Sequence, residues 1–177
     1  MLINVLLALV ALLILLVLVI ANRPSDFRIT RTAVISAPLV VVFAQVNDLR
    51  QWQAWSPWAK MDPNAKTTYE GPPEGIGAIM HWAGNRKVGA GNMTILESHR
   101  DIIRIRLQFL KPFPGINTVE FVFKPQGDQT MVTWSMWGTN NFMAKAFGLV
   151  VNCDKMVGGQ FEQGLASLNA VVSAGRS

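Results

Sequence analysis

Residues 102–110 read Ile102-Ile103-Arg104-Ile105-Arg106-Leu107-Gln108-Phe109-Leu110. Ile103, Ile105, Leu107 and Phe109 alternate with Arg104, Arg106 and Gln108, the period of two that sends successive side chains to opposite faces of a strand. One apolar face and one charged face describe an antiparallel sheet that is packed on one side and wet on the other.

Similar signals extend in both directions. Upstream, Ile79-Met80-His81-Trp82 runs into Gly84-Asn85, and residues 92–98 form a further strand. Downstream, residues 118–124 and 130–137 are strands joined by the hairpin turn Gln126-Gly127-Asp128. Residues 27–36, rich in β-branched side chains, predict a first strand with Ile29, Arg31, Ala33 and Ile35 on one face. Pro38 then marks a helix start, followed by Val41, Val42, Phe43, Val46 and Leu49 at helical spacing. Trp52-Gln53-Ala54-Trp55-Ser56-Pro57-Trp58 holds three of the six tryptophans, and Pro57 ends any helix there. Residues 62–77, with Pro63, Gly71, Pro72, Pro73 and Gly75, alternate short extended pieces with turns.

After Gly138 the period becomes helical. Phe142, Met143, Ala146, Phe147, Val150 and Val151 share one face, and Val157, Phe161, Leu165, Leu168 and Val172 form a second stripe. Asn152 or Asp154 is placed to cap the last helix. Strands in sequence with helices grouped at the ends define the α+β class.

At the other end, residues 2–21 are apolar except for Asn4, and the first charged side chain is Arg23. Twenty residues at about 1.5 Å each span roughly 30 Å, the hydrocarbon thickness of a bilayer. A cleaved signal peptide competes, with Val19-Ile20-Ala21 as a small-residue site. The run exceeds the usual ~7–15-residue signal core, and no Lys or Arg precedes it, which favours a retained anchor. The expected organisation is an anchor over 1–22, a linker over 23–26 and one domain over 27–177. Arg23, Arg28 and Arg31 against Asp26 favour a cytoplasmic domain, as in a single-pass protein of a bacterial inner membrane.

The globular part carries the whole net charge of +5. Attraction to anionic headgroups and ordinary solubilising charge both explain it; no Lys/Arg run marks a nucleic-acid partner. One cysteine, Cys153, excludes an internal disulfide. No Cys/His cluster, nucleophile elbow or phosphate loop is present, so no metal, cofactor or catalytic residue is assigned. His81, on the strand face opposite Trp82, and His99, in a turn, complete the short list of polar candidates with Glu97, Glu120, Asp154 and Glu162. Glu97 and Arg106 are placed to face each other as a surface pair. Gly158, Gly159 and Gly164 are costly inside a helix, at ~1 kcal/mol each. A helix break, close approach to the sheet, or room for a ligand would each account for them.

Several segments in order then carry a resemblance: Ile35-Ser36-Ala37-Pro38 with Val42-Phe43, the stretch from Trp52 to Trp58 with Asp62-Pro63, and Gly71-Pro72 through Gly77. Trp82-Ala83-Gly84-Asn85, Gly91-Asn92-Met93-Thr94 with Glu97-Ser98, Val132-Thr133-Trp134 with Gly138, and Phe161-Glu162-Gln163-Gly164-Leu165 continue it. Together, over roughly residues 27–173, they resemble the START-like superfamily of helix-grip proteins, also called SRPBCC or polyketide cyclase/dehydrase-like. The resemblance implies seven antiparallel strands curved around a long C-terminal helix, with an apolar cavity between. It also implies a hydrophobic small molecule or lipid as partner, with a cyclase- or hydrolase-type enzyme as the alternative; an interaction protein at the membrane, with a filled core and no ligand, is a third reading of the chain. Trp55, Trp58, Trp82, Phe109, Phe121, Trp134, Met136 and Phe161 are the expected pocket residues, with core packing as the competing role. Phe142, Met143 and Phe147 are expected as a lid, or as an ordinary amphipathic face. A sheet and helix that enclose no void large enough for a ligand, roughly 300 Å³ or more, would count against the binding reading.

Overall fold

The computed structural model describes residues 1–175, so the last two positions of the expected domain lie outside the described residues. Helix α1 (Leu2–Ala21) is followed by strand β1 (Asp26–Ile35), helix α2 (Leu39–Asn47) and two short helices, α3 (Trp52–Trp55) and α4 (Pro57–Met61). Strands β2 (Lys66–Glu70), β3 (Ile79–Ala83), β4 (Ala90–His99), β5 (Ile102–Lys111), β6 (Gly115–Gln126) and β7 (Gln129–Thr139) come next. Helix α5 (Phe142–Phe147) and the long helix α6 (Cys153–Ala174) end the chain.

All pairings are antiparallel, in the order β1-β7-β6-β5-β4-β3-β2. The meander from β2 to β7 closes on β1, which is the helix-grip arrangement. Two-residue turns make the tight hairpins, and Gly127 supplies the left-handed conformation (φ +61°) that the β6–β7 turn requires. Pro38 caps α2 rather than occupying its first turn, and Pro57 opens α4 rather than merely ending α3. Asn152 caps α6, its side chain accepting the Lys155 backbone N–H at 3.0 Å.

One register differs from the sequence expectation. The β4–β5 pairing shifts between Ile95 and Glu97, leaving Leu96 as a bulge that brings Glu97 opposite Arg104; Arg106 lies opposite Thr94 and does not face Glu97. Arg104 accordingly bridges Glu97 and Glu120, with 2.9 Å from Nη2 to the Glu120 carboxylate. Hydrogen bonding to Glu120, more than any other factor, raises the Arg104 pKa further above its ordinary value.

The inner face of the sheet is solid at one end. Ile35, Ile95, Ile103, Ile105, Phe121 and Phe123 pack there, each at most 1 % exposed. Val42 and Val46 of α2 and Leu165, Leu168 and Val172 of α6 cover them. Fully burying side chains of this size stabilises the fold by about 1.5–3 kcal/mol each. Two hydrogen bonds pair polar groups in this region: Thr130 donates to the Ala37 carbonyl at 2.8 Å, and the Ser36 N–H donates to Asn169 Oδ1 at 2.7 Å.

Helix α6 is continuous through its glycines. Gly158 lies against the Arg31 guanidinium, where a Cβ would collide. Gly164 lies against the Trp134 ring, and only Gly159 faces open space. Close approach to the sheet therefore explains two of the three glycines, and no break occurs.

Candidate functional site

The other end of the inner face is hollow. A cavity of about 230 Å³ lies between the sheet, α3–α4 and the first half of α6. It falls below the roughly 300 Å³ expected of a drug-sized ligand pocket, so the space suits a smaller molecule or a single hydrocarbon chain. Strand alternation builds the wall. The inward residues that follow the solid core along each strand are Met80 and Trp82 on β3, Met93 on β4, and Leu107 and Phe109 on β5. Val119 on β6 and Trp134 and Met136 on β7 continue it, and Val157 and Phe161 of α6 face them.

Ring packing fixes the aromatic part of this wall. Trp134 stacks on Phe161 with centroids 4.2 Å apart, and Trp58 meets Trp134 edge-on at 5.9 Å. Trp82 meets Phe109 at 5.9 Å and donates its indole N–H to the Val88 carbonyl at 3.1 Å. Gly91, opposite Trp82 across the β3–β4 pair, leaves room for that ring: a Cβ there would come 2.6 Å from Cζ2. The buried indole N–H of Trp134 has no partner.

Of the pocket residues expected from the sequence, Trp58, Trp82, Phe109, Trp134, Met136 and Phe161 border the cavity. Trp55 and Phe121 do not. Both are fully buried behind it, and Trp55 donates to the Gln45 carbonyl at 3.1 Å. Pro57 breaks the helix between Trp55 and Trp58, so the two rings separate, one into the core and one into the wall. Phe142, Met143 and Phe147 also lie off the cavity and are 46 %, 58 % and 45 % exposed. They belong to α5, which packs against the foot of α1. There Arg23 donates to the Gly148 carbonyl at 2.9 Å and Lys145 to that of Ala21 at 3.2 Å. A lid over this cavity is therefore not what α5 forms. The sequence reading missed Trp52, Met80, Met93, Leu107, Val119 and Val157 as wall residues. The signal for two of them is the period-two partnership that puts Met80 on the face of Trp82 and Leu107 on the face of Phe109.

Titratable groups are sparse at the cavity. Asp62 and Lys87 border it from the 62–65 and 84–89 loops. The Asp62 carboxylate accepts the backbone N–H groups of Asn64 (3.2 Å) and Asn85 (2.6 Å), tying those two loops together. His81 points to the other face of β3, 3.5 Å from Glu70. Arg31 projects towards α6 and holds Asp154 at 3.0 Å and Glu162 at 2.7 Å. Hydrogen bonding to Asp154, then to Glu162, raises the Arg31 pKa, and the same bond from Arg31 lowers that of Asp154. This cluster is outside the cavity wall. Among the described residues no group of three His, Cys, Asp or Glu side chains could hold a metal ion.

The comparisons agree with this architecture. No curated protein matches the chain. A protein from Chromobacterium violaceum is 17 % identical with a TM-score of 0.58, covering 84 % of this chain and 98 % of its own. One from Nitrosospira multiformis is 18 % identical with a TM-score of 0.60, covering 85 % and 100 %. The di-domain ARO/CYC protein StfQ of the steffimycin biosynthetic pathway is 9 % identical with a TM-score of 0.61, covering 85 % of this chain and 52 % of its own. At these identities the likeness is one of fold. The sequence pattern described as polyketide cyclase / dehydrase and lipid transport matches residues 26–173, so the chain belongs to that family.

Proposed function

We propose that residues 27–175 bind a small apolar molecule, or one hydrocarbon chain of a lipid, in the cavity between the sheet and α6. In this reading α1 tethers the domain to a membrane, with residues 23–26 as linker and the domain on the cytoplasmic side. The observation that carries it is the cavity itself, a void of about 230 Å³ walled by aromatic, Met, Leu and Val side chains. Removing apolar ligand surface from water contributes about 25 cal/mol per Å², and the surplus over the freedom lost on binding is what would hold such a molecule without charged contacts. Helix α1 supports the tether: it is long and apolar enough to cross a bilayer, a property it shares with an N-terminal signal sequence.

The family description also includes cyclases and dehydrases. General acid–base chemistry needs two groups converging on one substrate. The cavity offers Asp62, already engaged by two backbone N–H groups, and Lys87 on a neighbouring loop, which favours binding over catalysis.

The test is photocrosslinking of the full chain in lipid nanodiscs with a diazirine-bearing single-chain fatty acid, followed by peptide mapping. Adducts on Met93, Leu107 or Val157 are expected. Adducts confined to α1 would overturn the proposal.

A further inference from the structure

The cavity and α1 lie at the same end of the sheet. Asp26, where β1 begins, pairs with Thr139, where β7 ends. Antiparallel order then places the 84–89 and 112–114 turns and α5 at that end, and the 100–101 and 127–128 turns at the opposite one. The two-residue turns at the far end are Arg100-Asp101 and Gly127-Asp128, and the 71–78 connection at that end exposes one large apolar side chain, Ile76 (58 %). The near end exposes Phe113 (60 %), Ile116 (59 %), Leu149 (42 %) and Val150 (84 %), besides the α5 residues already described. It also carries Arg86, Lys87, Lys111 and Lys145.

Separate segments, the β5–β6 turn and the α5 stretch, thus present apolar side chains beside basic ones at the end from which the apolar helix leaves. The linker gives little freedom. Residues 22–25 alone separate α1 from β1, a reach of about 14 Å when fully extended. Arg23 and Lys145 shorten it by binding α5 to the foot of α1, where Ile20 is only 6 % exposed. Apolar side chains flanked by Lys and Arg are the composition that settles into an anionic headgroup layer.

We infer that the domain stands on the bilayer with this end down. Phe113 and the 147–150 stretch sit in the headgroup layer, and the cavity rim formed by the 62–65 and 84–89 loops faces lipid. The inference rests on α1 being a retained membrane span, and it names the bilayer as the source from which an apolar ligand enters.

The test uses the full chain in vesicles of phosphatidylcholine and phosphatidylglycerol, in a Cys153→Ser background. Single nitroxide labels are placed by Phe113→Cys, Val150→Cys, Asp128→Cys and Leu9→Cys. Relaxation by oxygen against a water-soluble nickel chelate reads the depth of each. Labels at 113 and 150 at headgroup depth, with 128 in water and 9 in the hydrocarbon, are expected. If 113 or 150 is as water-accessible as 128 while 9 is deep, the span stands and the docked face is wrong. If 9 is itself in water, the span reading fails and the docking fails with it.

Discussion

Gly164 of α6 faces the Trp134 ring so closely that a Cβ in place of its hydrogen would lie 2.7 Å from Cζ3 and 3.2 Å from Pro57 Cδ. Trp134 is already stacked on Phe161 and on Phe121, so moving it away disturbs both contacts. Gly164→Ala gains about 1 kcal/mol of helix propensity but incurs overpacking of about 1–3 kcal/mol, so a net loss of stability is expected. Gly159→Ala, with nothing within 4 Å, keeps the propensity gain alone and raises the unfolding midpoint. Thermal unfolding of the two variants followed by circular dichroism checks the contrast; equal effects would mean that α6 does not approach β7 as described.

The Arg31–Asp154–Glu162 cluster predicts a pH dependence. Hydrogen bonds from Arg31 lower the Asp154 pKa below its ordinary 3.8. A carboxyl depressed in the folded state stabilises above its unfolded pKa, and that contribution is lost as pH falls through the folded value. Unfolding midpoints measured from pH 5 downward should therefore fall less steeply in Asp154→Asn than in the wild type. Parallel curves would remove Asp154 from the account.

Thr130, fully buried, donates to the Ala37 carbonyl where β7 meets the β1–α2 connection. Thr130→Val keeps the shape and strands that carbonyl without its donor, at a cost of about 1–3 kcal/mol. Denaturant unfolding should show the midpoint drop with an unchanged slope.

Much of this fold is legible in the chain because period-two and helical alternation are local. Ile103 to Phe109 declare their inward face without help, and Asn152 and Asp154 together mark where α6 starts. Register is less local. The bulge at Leu96 depends on how β4 meets β5, and that one-residue shift exchanges Ile103 for Arg104 as the partner of Glu97, while Arg106 lies opposite Thr94. The glycines of α6 are conspicuous in the sequence, but the groups they accommodate, Arg31 and Trp134, lie 127 and 30 residues away along the chain. Helical spacing in 142–147 cannot distinguish a lid from a face turned outward; the contacts of Arg23 and Lys145 decide it. Cavity size is the least local property of all, since it depends on every wall residue at once.

Occupancy of the cavity by an apolar molecule can be measured. Native mass spectrometry of the full chain, released from nanodiscs prepared directly from producing cells, tests it most directly beside the double variant Leu107→Phe, Val157→Phe, which fills the void from both walls. One apolar molecule per chain is expected in the wild type and none in the filled variant, with both proteins folded. A wild type without a bound molecule, or the same molecule retained by the filled variant, would contradict it.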